Sequence, residues 1–367
     1  MNLPPFKLER YFAQYEFNAE FLLCSSDCEA MTVADLLALE DGAAQKFQNV
    51  WLGYTESQGS PALRKEICGI YQTMQPQEIL VHAGAEEAIF LFMRAAFSAG
   101  DHVIVHAPHY QSLSEAAKSV GCSVSLWRAR EENGWALNLD ELRQLIRPTT
   151  KAVILNTPHN PTGYLMSQSD FFALHQLIQK CNLLLFCDEV YRESEYDPAL
   201  RLPAACDMGA HAVSLGVTSK TYGLAGLRIG WIATKNREIY QRMAALKDYT
   251  TICNSAPSEF LAEVALRHRQ KLITRNLAII QNNLAIVDNL FARHAHLFQW
   301  TRPQAGSMGF PKLLQGDVDS FCDSLVRKAG VLLLPGSMYD DDGNHFRIGL
   351  GRKNLPQAVE RLEEYLA

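Results

Sequence analysis

The sequence predicts an α/β protein: a mainly parallel sheet flanked by helices, with a smaller α+β lobe beside it. Short, almost continuously apolar runs recur through the middle of the chain, and amphipathic helical patterns lie between them. The chain also has 367 residues, 48% hydrophobic and 20% charged, which suits a globular protein of about two domains. The runs HVIVH (102–106), SVSL (123–126), KAVILN (151–156), LLLFCD (183–188), AVSLGV (212–217) and LRIGWIA (227–233) read as buried strands. Strands apolar on both faces, alternating with helical stretches such as DFFALHQLIQK (170–180), imply a sheet covered on both sides. Ligand sites in such sheets open at the carboxyl ends of the strands, so the loops after these runs are where chemistry is expected.

The rest of the chain reads as the second lobe. From Pro257 to Phe298 the pattern stays helical, with no proline after the first residue, which predicts one long helix bridging two lobes. Beyond it come AGSMGFPKLL (305–314), a helix around 317–328, VLLLP (331–335), HFRIGL (345–350) and a closing helix. The first 40 residues or so join this lobe, with MTVADLLALE (31–40) a short amphipathic helix leading toward the larger one.

Composition excludes several function classes. Thirty-four Lys and Arg against 40 Asp and Glu leave a formal charge of -6, so there is no basic surplus for nucleic acid or anionic lipid. No run approaches the length of a membrane span, and MNLPPFKLERYFAQYEF has neither an apolar signal core nor an Arg-rich transit pattern, so a cytoplasmic protein is expected. The nine cysteines include no CxxC pair. Cys24 and Cys28 lack neighbouring ligands, so reduced thiols and no metal site are expected. His294 and His296 read as a solvated helix end.

The candidate chemistry sits in the strand-end loops. In VTSKTYGLAGLRIGW (217–231), Lys220 follows a buried strand, where partial desolvation lowers an amine's pKa and suits it to form a Schiff base. Arg228 opens the next apolar strand; its fork suits a phosphate, with Ser219 a hydroxyl donor nearby. A surface loop with a routine Lys and Arg would show the same letters. NTPHNPTG (156–163) fixes turns that hold Asn160 at the mouth of the sheet, where its amide can donate to a ligand oxygen. In LLLFCDEVY (183–191), Asp188 ends a strand three residues before Tyr191. A carboxylate there needs a cation, and a pyridinium nitrogen is one; capping the following turn is the plainer reading.

Three weaker signals accompany these. VHAGAEEAIFLFMRAAF (81–97) puts the N–H groups of Gly84, Ala85 and Glu86 at a helix N-terminus, an anion site. Tyr110 in HAPHYQS (106–112) follows a strand and can stack on a planar ring. Arg347 in HFRIGL lies within a strand of the small lobe, where a buried guanidinium makes sense if it meets a substrate carboxylate. Each is ambiguous alone. Together they supply a Schiff-base lysine, a pyridinium partner, donors to a phenolic oxygen, a phosphate cradle and a stacking aromatic, which are the needs of pyridoxal 5'-phosphate.

The sequence resembles the fold-type I, class I/II aminotransferases. The resemblance is carried by YTESQGSPALR (54–64), GAEEAI (84–89), APHY (107–110), NTPHNPTG, DEVY (188–191), SKTYGLAGLRIGW (219–231) and FRIGLG (346–351). It implies a large domain with a seven-stranded sheet over 41–256, a small domain from 1–40 and 257–367, and a homodimer with shared active sites. Carried over by position, it implies that Lys220 holds the cofactor as an aldimine and shuttles the substrate proton, with a pyridoxamine form between half-reactions. Asp188 would pair with the ring nitrogen, while Asn160 and Tyr191 bond the ring oxygen. Arg228, Ser219 and the 84–86 backbone would bind phosphate, and Tyr110 would stack on the ring. Tyr54 matches a tyrosine that reaches the neighbouring subunit's phosphate, and Arg347, with Asn160 beside it, matches the clamp for the substrate α-carboxylate. Many relatives carry a phosphate-binding serine three residues before the lysine; here that position is Val217, with Thr218 a possible substitute donor. LLCSSDCEAMTVADLL also resembles a subgroup that includes capreomycidine synthase-like enzymes, which does not set the substrate.

The reading this supports is a pyridoxal-phosphate-dependent aminotransferase acting on an amino acid and a 2-oxo acid. A lyase, decarboxylase or cyclising enzyme on the same scaffold is the nearest alternative, since reaction choice depends on which Cα bond stands perpendicular to the ring. A non-catalytic cofactor-binding regulator is a distant one. The amino donor is not legible in the sequence.

Overall fold

The computed structural model describes residues 3–367. Its centre is a seven-stranded sheet of β1 (Ile79–His82), β2 (His102–Ala107), β3 (Ser123–Arg128), β4 (Thr150–Asn156), β5 (Leu184–Asp188), β6 (Ala212–Val217) and β7 (Gly230–Thr234). They lie in the order β1-β7-β6-β5-β4-β2-β3. The strands from β2 to β6 run parallel, while β7 is antiparallel to both β6 and β1. The sheet is buried on both faces: Ile154, Phe186 and Val213 pack under the helices Ala85–Ala96 and Arg237–Lys247, and Val153, Leu185 and Ala212 under Gln168–Lys180. That two-sided burial is why these strands read as continuous apolar runs rather than alternating ones.

Three sequence expectations about elements need correction. β1 was not among the expected strands; its four buried residues abut the Gly84 turn and read as the lead-in to the following helix. The last strand begins at Gly230, not at residue 227, because Ala225–Leu227 form a 3-10 turn and Arg228 then takes a left-handed conformation at φ 52°. Arg228 therefore stands two residues before the strand instead of opening it. The long helix is two helices, Ala256–Arg267 and Arg269–Arg293, broken at His268. Leu261, Ala262 and Leu266 pack with Leu63 and Ile79 against the large sheet, whereas Ile280, Leu284 and Val287 pack with Val331 and Phe346. One straight rod could not bury both stripes.

The remaining strands are short and antiparallel: Leu334–Pro335, Phe346–Gly349 and Met308–Gly309 form one sheet, and Lys312–Leu313 pairs with Phe298–Gln299. VLLLP enters this ladder only at its end. Its start is taken by the N-terminal segment, with a parallel bridge between Phe21 and Val331 and a bond from Leu332 N–H to the Phe21 carbonyl at 2.9 Å. The helices Val318–Ala329 and Leu355–Leu366 cover this layer, with Cys322, Leu325, Val359 and Leu362 inward. Among the described residues no helix is long and apolar enough to cross a membrane, and all nine cysteines are free. The C-terminal strands and the N-terminal segment together close over the carboxyl ends of β4, β5 and β6.

Candidate active site

A cavity of about 370 Å³ opens there, walled by strand-end loops on one side and by residues from both chain ends on the other. Asn156, the last residue of β4, builds its floor. The Asn156 side chain accepts from Asn160 N–H at 2.7 Å and donates to the Asp188 carbonyl at 2.9 Å, tying two strand ends together. Asn160 Oδ1 accepts from Tyr339 Oη at 3.0 Å and from Arg347 at 3.3 Å. With its oxygen taken twice, its amide nitrogen is left to face the cavity as a donor.

Asp188 ends β5 and is buried, its Oδ1 accepting from Val190 N–H at 3.2 Å. Among the described residues no cation lies within ion-pairing distance of it, and burial pushes its carboxyl up to about 7. Tyr191 follows on the next turn. Its hydroxyl is buried beside Ser26 and makes no hydrogen bond of good geometry. Lys220 reaches in after β6: Nζ donates to Ser26 Oγ at 3.0 Å and lies 6.0 Å from the Tyr191 ring centroid. Burial lowers its pKa, opposed by the carboxylates of Asp27 and Asp188. A buried amine with no ion pair is the state in which lysine becomes a nucleophile or base.

The anion corner is built from Arg228, Ser219 and the start of the helix Ala85–Ala96, all on the cavity wall. A Cβ on Gly84 would stand 2.5 Å from the Arg228 guanidinium, so only glycine, here at φ 86°, lets that side chain pass. Two expectations are corrected here. The Gly84 N–H is spent on the His82 carbonyl at 2.9 Å, leaving the amides of Ala85 and Glu86. Thr218 cannot replace the missing serine: its hydroxyl turns inward to the carbonyls of Ile229 and Leu224, at 3.1 and 3.4 Å. Val217 faces the cavity in its place.

Tyr110 lines the cavity, its ring 5.0 Å from that of Phe6. Arg347 is buried, donating from Nε to the Cys24 carbonyl at 2.8 Å and from a terminal nitrogen to Tyr339 and Asn160. Among the described residues no carboxylate is within ion-pairing distance of Arg347. Tyr54 does not line this cavity; it is 83% exposed. Sequence reasoning missed Ser26 and Asp27, which come from the segment after the N-terminal helix Lys7–Tyr15, and Arg352, which holds Asp27 at 2.9 and 3.0 Å. It also missed Tyr339, which braces both Asn160 and Arg347. These residues lie in short turns whose local pattern carries no chemical signature. Among the described residues no group of His, Cys, Asp and Glu could hold a metal ion.

These unfilled valences fit pyridoxal 5'-phosphate. Asp188 lacks a cation and a pyridinium nitrogen supplies one; the Asn160 amide and Tyr191 hydroxyl are donors awaiting an oxygen; Arg228 and Ser219 await an anion; and Lys220 is within the same cavity.

Comparison with known proteins agrees. The family model for aminotransferase class I and II matches residues 20–362. Capreomycidine synthase from Streptomyces vinaceus is 29% identical, over 99% of this chain and 94% of its own length. The crystal structure of a pyridoxal-phosphate-dependent aminotransferase from Streptococcus suis superposes with a TM-score of 0.94 at 34% identity, covering 100% of this chain and 98% of that one. That of the pyridoxal-phosphate-dependent cyclase OrfR gives 0.91 at 28% identity, covering 100% and 98%.

Proposed function

Because the chain belongs to the aminotransferase class I and II family and its cofactor is pyridoxal 5'-phosphate, we propose that it moves an amino group between an amino acid and a 2-oxo acid. The observation that carries this is the pairing of a half-buried, ion-pair-free Lys220 with a buried Arg347 that has no carboxylate of its own, across one cavity. When bound, the cofactor supplies an electron sink for the charge left on a substrate carbon after a bond to it breaks. Lys220 would hold the cofactor through Nζ, and the same amine would take the proton from the substrate Cα and return it; burial lowers its pKa, which favours the base form. Asp188 would be ionised against the ring nitrogen. Asn160 and Tyr191 would donate to the ring oxygen, and Tyr110 would cover the ring. Arg228, Ser219 and the amides of Ala85 and Glu86 would hold the phosphate. Arg347 fixes the α-carboxylate, which turns the Cα–H bond toward Lys220 and favours deprotonation over decarboxylation.

The likeness to a synthase and a cyclase supports one other reading, cyclisation or elimination on the same Cα carbanion. The two differ in what happens to the cofactor. Titrating the holoenzyme with amino acids and no oxo acid should convert its band near ~420 nm to one near ~330 nm with stoichiometric 2-oxo acid. Persistence of the first band while a cyclic or eliminated product accumulates would replace transamination with the second reading. Lys220→Ala should lose turnover by at least about 10⁴-fold in either case.

We also infer a homodimer. Trp51, Leu52, Tyr54 and Tyr249 are each more than three-quarters exposed, and Thr55 Oγ1 donates to the Asn254 carbonyl at 3.0 Å, joining the two segments that carry them. Exposed apolar and aromatic side chains on two joined segments suit an association surface.

A further inference from the structure

One residue past Asn156 and Asp188, on the loops leaving β4 and β5, the chain encloses a second cavity of about 10 Å³. Thr157, Glu189 and Arg192 line it, and Leu165, Phe171 and Leu202 supply apolar walls. The volume is that of a single water-sized molecule.

Three buried polar atoms of these lining residues make no hydrogen bond among the described residues: Thr157 Oγ1, Glu189 Oε2 and Arg192 Nε. The other atoms of the two charged groups are committed. Glu189 Oε1 accepts from Ala205 N–H at 2.7 Å and from Ser214 Oγ at 2.9 Å. Arg192 Nη1 donates to the Leu202 carbonyl at 2.9 Å and stands 3.8 Å from Glu189 Oε2, too far for a hydrogen bond. Cys187, beside the same carboxylate, offers only a weak thiol donor. Glu195 also borders the cavity, but its carboxylate is taken by Arg201 Nε at 2.8 Å and Glu193 N–H at 3.3 Å. Three unmet polar atoms on one small cavity are a rare and costly arrangement.

Their chemistry defines the occupant. Arg192 Nε–H can only donate, an ionised Glu189 Oε2 can only accept, and the Thr157 hydroxyl can do either. A metal cation cannot be ligated by an N–H, and an anion would face the Glu189 carboxylate. A single neutral atom that both accepts and donates is a water oxygen.

We propose that one water molecule is bound here as a fixed part of the site, accepting from Arg192 Nε, donating to Glu189 Oε2 and completing a third bond with Thr157 Oγ1. Thr157 lies three residues before Asn160, and Glu189 and Arg192 flank Tyr191. The Thr157 N–H already joins the two strand ends at the Asp188 carbonyl, at 3.0 Å. The water adds a second tie farther out, between the loop that bears Asn160 and the turn that bears Tyr191. Thr157, Glu189 and Arg192 are thus positioning residues that act through it. That consequence rests on the reading of Asn160 and Tyr191 as donors to the cofactor's ring oxygen.

The test is a high-resolution crystal structure of the holoenzyme together with a pH titration of its ~420 nm band. A single density peak should lie within about 3.3 Å of all three atoms. Donors to the ring oxygen favour the deprotonated, more negative form of the bound cofactor, so loosening them raises the pH at which the band is lost. Thr157→Val should raise that midpoint by about half a unit, and Thr157→Ser should restore it. Tyr191→Phe should raise it further. No peak, a peak with anomalous signal or with partners closer than about 2.5 Å, as for a metal ion, or a midpoint that Thr157→Val leaves alone while Tyr191→Phe moves it, overturns the proposal. A midpoint unmoved by Tyr191→Phe instead overturns the placing of Tyr191 against the ring oxygen, and the density alone then decides the water.

Discussion

At Asp188 a buried carboxyl group meets one backbone N–H and no cation, and its pKa is pushed from 3.8 to about 7. In the cofactor-free protein the folded state keeps this proton across a range where the unfolded chain has lost it, so stability falls as pH rises from about 4 to about 7. A displacement of that size is worth on the order of 4 kcal/mol. Melting of cofactor-free protein should therefore drop between about pH 4 and about pH 7, and Asp188→Asn should flatten that drop while costing activity. Val217 gives a second residue-scale outcome. It stands on the cavity wall where a hydroxyl would serve the phosphate, and Thr218 is turned away. Val217→Ser should tighten cofactor binding by up to about 10-fold, read by equilibrium dialysis. Arg347→Ala should raise KM for amino acids by about 100-fold with a smaller change in kcat. Asp188, Lys220 and Asn160 were legible because each lies at or just after the end of an apolar run, and Arg347 because it is a charge inside a short apolar strand. Ser26, Asp27 and Arg352 were not, because only folding brings both chain ends onto the same cavity.

Among the elements, β6 and β7 approach closely at one glycine. Gly216 stands opposite Trp231, and a Cβ there would lie 2.4 Å from the indole, whose Nε1 donates to Tyr71 Oη at 2.8 Å. Gly216→Ala should cost about 1–3 kcal/mol in chemical denaturation, since the buried ring has no room to shift. Six strands of the sheet were legible, because burial on both faces leaves a run of apolar letters. β1 was hidden by its length of four residues and by the glycine turn beside it. The break at His268 was hidden because both halves keep a helical period; what separates them is the core each one faces. Helical periodicity reports a face, not the neighbour that covers it.

For the whole molecule, the exposed patch at Trp51, Leu52, Tyr54 and Tyr249 sets the expected assembly. Sedimentation should give a dimer, and Trp51→Asp combined with Tyr249→Asp should shift it toward monomer, with no loss of secondary structure by circular dichroism. Sequence alone gave no sign of how these segments meet; their contact spans Thr55 and Asn254. The cavity has a comparable span. The strand-end loops form one wall, helix Lys7–Tyr15 with Arg347 and Arg352 the other, and Arg347 is anchored on the Cys24 carbonyl, 323 residues away along the chain. On the ribosome, then, the strands bearing Asp188 and Lys220 emerge and can assemble well before the arginines that complete the pocket have been translated. A nascent chain stalled short of residue 347 would own the cofactor's side of the site without the substrate's: able to capture the vitamin, unable to tell one amino acid from another.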